Sequence, residues 1–205
     1  MHRTGRGKGA RRVHWGVMTG ERVVDGREQH LLPTYWSKSS RRPLFAQPMR
    51  RMPAVVWDLG QLVFAILLNR LPTACRIAGP PNLCVLMRYD VAGDHHINPH
   101  QDGLAEGVAK SILPDSAVIT VTLSGSQEFR VHNMRGEVVA ALELQADSIF
   151  LLHPDTDKNY KHSTANVRGS SDRDALVYRW SRTHEYFNAD FPHFYADPDR
   201  TPASY

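Results

Sequence analysis

Cysteine is scarce in this chain of 205 residues, which has only Cys75 and Cys84. Two cysteines are too few for the disulfide framework of a small secreted protein, so we expect an intracellular protein, cytoplasmic or nuclear. Long apolar runs are also missing, because the longest, residues 62–68, is far shorter than the roughly 20 residues that cross a bilayer. The basic N-terminus has no apolar stretch behind it. We therefore predict no membrane span and no signal peptide.

The composition is that of a folded globular chain. Its hydrophobic fraction of 41% and charged fraction of 22% exclude a mostly disordered chain and a collagen-like repeat. A chain of this length suits one domain of ordinary size, which we expect to be a monomer.

Net positive charge is confined to the first quarter of the chain. Residues 1–52 hold 12 of the 25 Lys and Arg but only three of the 21 acidic residues, a net charge of +9. The other 153 residues hold 13 basic and 18 acidic side chains, a net charge of −5. Clustered cations favour a polyanion such as nucleic acid, because binding releases its condensed counterions. The alternative is a solvated basic tail without a partner.

The pattern divides the chain into four parts. Residues 1–12 form a flexible basic arm, residues 13–52 an N-terminal extension, residues 53–185 the core and residues 186–205 a tail. A helix is predicted to start at Pro53 and stop near Asn69, with one apolar face that packs on a sheet. That face consists of Val55, Val56, Leu59, Leu62, Val63, Ile66 and Leu67.

Short alternating runs follow the helix, separated by turn signals. They predict strands at residues 83–89, 117–123, 128–132, 138–144, 148–152 and 175–180. At least six short strands without intervening helices are typical of a sandwich, a barrel or a jelly roll. The predicted fold class is mainly β with flanking helices.

Three residues form a candidate metal site. His100 and Asp102 follow Asn98-Pro99, and in an extended chain positions i and i+2 face the same way. His162, 60 residues after Asp102, supplies a third ligand type. Two His and one carboxylate suit non-haem Fe(II), although zinc accepts the same set. His153 is a competing ligand, or a structural histidine.

Two arginines, Arg173 and Arg179, lie six residues apart and so on one face of the predicted strand, with the small Ala175 and Val177 between them. A buried guanidinium needs an anionic partner, and a dicarboxylate would fit the space. The alternative is an exposed edge strand with two solvated arginines.

In order and spacing, these elements resemble the AlkB-type family of Fe(II)- and 2-oxoglutarate-dependent dioxygenases over residues 53–182. The stretches that carry the resemblance are NLCVLMRY (82–89), GDHHINPHQD (93–102), SAVITVTLSGS (116–126), NYKH (159–162) and RDALVYR (173–179). The resemblance implies a double-stranded β-helix, a form of jelly roll, with residues 13–52 as a lid over the substrate.

The resemblance also implies the site and the chemistry. His100, Asp102 and His162 would be the catalytic iron ligands. Arg173 with Tyr89 would bind the distal carboxylate of 2-oxoglutarate, and Arg179 would lie near its metal-side end. O2 would then be used to oxidise a methyl or alkyl C–H bond while 2-oxoglutarate becomes succinate.

The chain departs from the family pattern in three places. Met87 stands where members commonly have Asn, and Ala175 where they have Asn or Ser, both near the cosubstrate. Leu104 stands where DNA-repair members often carry an acid against the damaged base, which makes a neutral methyl group a more competitive target.

Aromatic and basic residues alternate before the helix, and we expect Tyr35, Trp36, Arg41 and Arg42 to contact substrate. Stacking combined with phosphate contact is what an enzyme that extrudes a base requires. Alternatively, the aromatic residues are core of the extension. We therefore predict a DNA or RNA substrate. The alternatives are the same chemistry on a protein side chain or small molecule, or an inactive nucleic-acid-binding module.

Overall fold

The computed structural model describes residues 11–16, 20–24, 27–33, 50–93, 95–102, 113, 115–165, 171–181 and 183–187. Within these residues the chain is mainly β with a few helices, as the sequence predicts. The helices are α1 (Ala54–Leu67), α2 (Thr73–Ala78) and α3 (Pro154–Asn159), with single 3-10 turns at Leu68–Arg70 and Val91–Gly93. The strands are β1 (Arg11–Gly16), β2 (Gly20–Val24), β3 (Arg27–Pro33), β4 (Arg50–Arg51), β5 (Leu83–Tyr89), β6 (Ile97–His100), β7 (Val118–Ser124), β8 (Gln127–His132), β9 (Val138–Leu144), β10 (Ser148–Leu152), β11 (Lys161–Thr164), β12 (Arg173–Arg179) and β13 (Thr183–Phe187).

The predicted strands match the observed ones closely. The runs at 83–89, 138–144 and 148–152 have the observed bounds, and the other three differ by one or two residues at their ends. Turn residues on either side of apolar or β-branched runs are the cause, since they mark where a strand begins and ends. The division into an arm, an extension, a core and a tail stays a prediction.

The described residues form two compact units. The first comprises residues 11–13, Leu86–Asp102 and Ala117–Val177, and the second comprises His14–Val85, Gly103–Ser116 and residues 178–187, in each case as far as they are described.

The first unit contains two groups of hydrogen-bonded strands. One has the order β10-β7-β12-β5, and the other is a four-stranded sheet in the order β6-β11-β8-β9. Phe129 of β8 and Phe150 of β10 bring the two groups into contact, with ring centroids 4.7 Å apart. Buried apolar side chains of this unit include Ile119 and Phe129. Burial of such side chains stabilises each by about 1.5–3 kcal/mol.

The turn from β7 to β8 requires glycine at position 125. Gly125 has a φ of 66°, and an added Cβ would lie 2.7 Å from the carbonyl oxygen of Asp172. Both the backbone conformation and this close approach exclude a larger residue.

The second unit contains helices α1 and α2. Its three-stranded sheet has the order β13-β3-β2, and β1 pairs in parallel with β4, with Trp15 opposite Arg50. Two buried aromatic residues bond to helix-region carbonyls: the Tyr178 hydroxyl donates to Val56 O at 2.7 Å, and Trp180 Nε1 donates to Gly79 O at 2.7 Å. Cys75 and Cys84 are buried in this unit.

The predicted apolar face of α1 is wrong in part. The buried residues are Val56, Gly60, Val63 and Leu67, whereas Val55, Leu62 and Ile66 are exposed. The reason is Gly60, whose missing side chain lets the Tyr178 ring approach within 2.9 Å of the place a Cβ would occupy. The buried residues of α1 lie three or four positions apart in a row that includes Gly60. A prediction based on apolar residues alone leaves this glycine out.

Among the described residues, none of the helices is both long enough and apolar enough to cross a membrane.

Candidate metal centre

His100, Asp102 and His162 come together in the first unit. His100 ends β6, Asp102 follows two residues later, and His162 lies directly opposite His100 on the antiparallel strand β11. Directly opposed residues have Cβ atoms about 4.5–5.5 Å apart, so this register brings the two rings to one place. One ligand atom from each of the three residues lies within 4.8 Å of the other two.

Both imidazoles present Nε2 to the same carboxylate. His100 Nε2 lies 3.4 Å from Asp102 Oδ1, and His162 Nε2 lies 3.8 Å from Asp102 Oδ2. His100 Nδ1 lies 2.9 Å from the carbonyl oxygen of Asn98. Because a carbonyl only accepts, this contact assigns the proton to Nδ1 and leaves the Nε2 lone pair for a ligand.

Aromatic packing fixes the His162 ring. His162 stacks on Phe129 at a centroid distance of 5.6 Å and an angle of 17°. The next residue, Ser163, is held by His132, whose Nε2 lies 2.7 Å from the Ser163 hydroxyl. Both contacts restrict β11 at the residue that carries the imidazole.

Arg173 is a second feature of the first unit, and it is 1% exposed. Its Nη1 donates to Gln127 Oε1 at 3.2 Å, its Nη2 donates to Thr122 Oγ1 at 3.0 Å, and its charge lies 5.2 Å from the centre of the Tyr89 ring. The alternative of solvated arginines on an exposed edge strand is therefore wrong for Arg173, since β12 lies between β7 and β5.

The Arg173 charge lacks an anionic partner. Its Nε makes no hydrogen bond, and no carboxylate pairs with it in the described part of the chain. Burial lowers the pKa of Arg173, while Tyr89 opposes the shift. A guanidinium keeps its proton in proteins, so the group is a buried cation with a donor left over.

Tyr89 is held neutral beside this cation. It is buried, and burial raises the pKa of its phenol against the opposing effect of Arg173. Its hydroxyl donates to Met87 Sδ at 3.6 Å. Tyr89 also interacts with Thr164, two residues after His162.

Arg179 and His153 are two further predicted site residues that the structure describes. Arg179 ends β12 and is half-buried. Tyr35, Trp36, Arg41, Arg42 and Leu104 lie outside the described residues. His153 is away from the cluster and caps α3, where its Nδ1 accepts from the backbone N–H of Asp155 at 3.3 Å.

Four residues that surround the metal cluster or Arg173 were not predicted from the sequence. Thr122, Gln127, Phe129 and Asp157 contact Arg173 or His162. No local pattern marks them, because their contacts arise only when separate strands and α3 meet.

Comparison with known proteins identifies the fold. No protein-family model and no curated protein matches the sequence. The solved structure of OsALKBH1 is similar with a TM-score of 0.51 and 15% identity, over 84% of this chain and 86% of that chain. The coconut allergen cocosin aligns over 52% of this chain and 23% of its own, and its TM-score of 0.33 carries no argument. The predicted double-stranded β-helix is confirmed, and the chain has the AlkB-type fold.

Proposed function

We propose that this protein is an Fe(II)- and 2-oxoglutarate-dependent dioxygenase that oxidises a methyl or alkyl group on a nucleic-acid base. The observation that carries the proposal is the pairing, within one compact unit, of the His100–Asp102–His162 cluster with a buried cation that lacks an anion. The AlkB-type fold is consistent with it.

The cluster fits an Fe(II) ion by its chemistry. Two neutral imidazoles and one carboxylate are the ligand set of non-haem iron oxygenases, in which the remaining coordination positions stay open. Here both Nε2 atoms face Asp102. These three side chains would hold the ion.

Arg173 fits a carboxylate of 2-oxoglutarate. Its charge is buried and its Nε makes no hydrogen bond, so a bound anion would stabilise it. A guanidinium pairs with a carboxylate through two parallel hydrogen bonds. Thr122 and Gln127 would hold the guanidinium in place for that contact. Tyr89 would stay neutral, since burial raises its pKa, and so would not compete as a second anion.

Bound together, iron and 2-oxoglutarate supply an oxidant that uses O2 to hydroxylate a C–H bond, with succinate and CO2 as co-products. The chain's own contribution is to bind and orient. Packing of Phe129 on His162 limits the rotation of one ligand, and burial of Arg173 keeps water from its anion site.

The nucleic-acid substrate is supported by charge and composition. The net charge of +9 in residues 1–52 favours a polyanion, and the aromatic residues among them suit stacking on an extruded base. The absence of an acid at position 104 favours a neutral methyl group as the target.

Mass spectrometry of nucleosides tests the substrate. The protein is incubated with Fe(II), 2-oxoglutarate and a panel of methylated DNA and RNA oligonucleotides, and we expect one methylated nucleoside to be consumed. Asp102→Ala serves as the inactive control. Turnover of a methylated peptide, with every oligonucleotide unchanged, would overturn the nucleic-acid assignment and leave the chemistry intact.

A further inference from the structure

Asp157, on helix α3, contacts both Asp102, which follows β6, and His162 of β11. Its Oδ1 accepts the backbone N–H of Asp102 at 2.8 Å and lies 3.3 Å from Nδ1 of His162. The Asp157 side chain is 16% exposed. One oxygen atom therefore meets two of the three candidate ligands.

A second contact ties the same helix to the ligand loop. The side chain of Gln101, between His100 and Asp102, donates from Nε2 to the carbonyl oxygens of Asp157 at 2.9 Å and Lys158 at 2.8 Å. Carbonyls in the last turn of a helix lack partners within the helix, so a side-chain donor satisfies them. The loop with His100 and Asp102 is thus held to α3 by a backbone and a side-chain contact.

The two histidines differ in how their outer nitrogens are satisfied. His100 Nδ1 has the Asn98 carbonyl at 2.9 Å. His162 Nδ1 is buried without an aligned hydrogen bond, and the Asp157 carboxylate is the acceptor at hydrogen-bond distance.

We propose that Asp157 is a positioning residue of the metal centre, which orients His162 through Nδ1 and Asp102 through its backbone N–H. The inference rests on the proposed function, because it assumes that the cluster binds an ion. A carboxylate on the outer nitrogen of a ligand imidazole fixes the tautomer that offers Nε2 and raises its basicity. Asp157 would accept a hydrogen bond from Nδ1 of His162, as the Asn98 carbonyl accepts one from Nδ1 of His100.

Three variants separate the two contacts of Asp157. Asp157→Asn keeps an oxygen that can accept from Asp102 but removes the charge that faces His162, and Asp157→Ala removes both. Asp155→Asn is the matched control, because it makes the same change on the same helix at a side chain that is 76% exposed and contacts His153.

Calorimetric titration with Co2+ alone measures the effect. We expect Asp157→Asn to bind Co2+ about 10-fold more weakly than the parent protein and Asp157→Ala towards 100-fold more weakly. Asp155→Asn should match the parent. Unchanged affinity in both Asp157 variants would overturn the inference.

Proton NMR of the Co2+-loaded parent protein tests the inference without any variant. The ion shifts the Nδ1–H signals of its imidazole ligands, and we expect two shifted exchangeable signals, one for each histidine. In Asp157→Asn only the His162 signal should move or exchange with solvent. A single shifted signal in the parent protein would contradict the role of Asp157.

The outcomes distinguish this inference from the function on which it rests. If the parent protein does not bind Co2+, the proposed metal centre fails and the role of Asp157 fails with it. If the parent protein binds Co2+ and the Asp157 variants bind it equally well, only the role of Asp157 fails.

Discussion

His100 and His162 lie directly opposite each other on β6 and β11, with ring centroids 4.2 Å apart. Strand register therefore brings together two candidate ligands that are 62 positions apart in the chain. A slip of one residue would turn His162 to the other face of the sheet. The metal centre thus depends on the pairing of β11 as much as on the identity of its side chains.

Loss of the cluster's carboxylate should abolish tight metal binding. Asp102→Ala removes the group that both Nε2 atoms face, and we expect Mn2+ affinity to fall by at least about 100-fold, the upper end of the loss for an outer residue. Titration calorimetry measures the Mn2+ affinity. His153→Ala, a change outside the cluster, should bind Mn2+ as the parent does, and an equal loss there would assign the effect to folding instead.

Arg173 should govern binding of 2-oxoglutarate without affecting the metal. In the presence of Mn2+, saturating 2-oxoglutarate should raise the melting temperature of the parent protein, since a ligand at 100 times its Kd adds about 2.7 kcal/mol. Arg173→Met should lose this shift and keep its Mn2+ affinity. Arg88→Met, at an exposed ion pair with Asp174, is the control and should keep both.

A melting-temperature shift that survives in Arg173→Met would place the cosubstrate elsewhere. In the absence of ligand, we expect Arg173→Met to be no less stable than the parent, because it removes a buried charge that lacks an anionic partner.

Much of the fold could be predicted from the sequence, and the failures have physical causes. Apolar or β-branched runs bounded by turn residues marked β5, β9 and β10 to the residue, and the i, i+2 rule brought His100 and Asp102 together. Helix α3 was missed because its six residues, PDTDKN, show no apolar periodicity, and Asp157 was missed with it. Gln127 and Thr122 were missed because a contact with Arg173 between strands leaves no local pattern.

Stability should fall at alkaline pH through Tyr178. Burial raises the pKa of its phenol above the unfolded value of about 10, so the folded state keeps a proton that the unfolded chain releases. This contribution is fully present below pH 10 and is lost as the pH rises above it. Between pH 8 and 11 the free energy of unfolding should fall by about 1 kcal/mol more in the parent protein than in Tyr178→Phe, measured by urea unfolding. Parallel pH dependence in the two proteins would contradict the shift.

The basic N-terminal arm should contribute a salt-dependent part of nucleic-acid binding. Residues 1–12 carry Arg3, Arg6, Lys8, Arg11 and Arg12. Each phosphate contact adds about 0.9 to the slope of log affinity against log salt on duplex DNA. Deletion of residues 1–10, which removes Arg3, Arg6 and Lys8 and leaves β1 intact, should lower that slope by up to about 2.7, measured with a labelled oligonucleotide. Binding that is indifferent to both salt and the deletion would contradict a nucleic-acid partner.

Production of succinate from 2-oxoglutarate tests the account most directly. The purified protein is supplied with Fe(II), ascorbate, O2 and 2-oxoglutarate, and succinate is quantified with and without methylated oligonucleotide. We predict succinate formation by the parent protein, a loss of at least about 100-fold in Asp102→Ala and in Arg173→Met, and parent-like formation in His153→Ala. Absence of succinate from a parent protein that binds the metal, or full turnover by Asp102→Ala, would contradict the proposed activity.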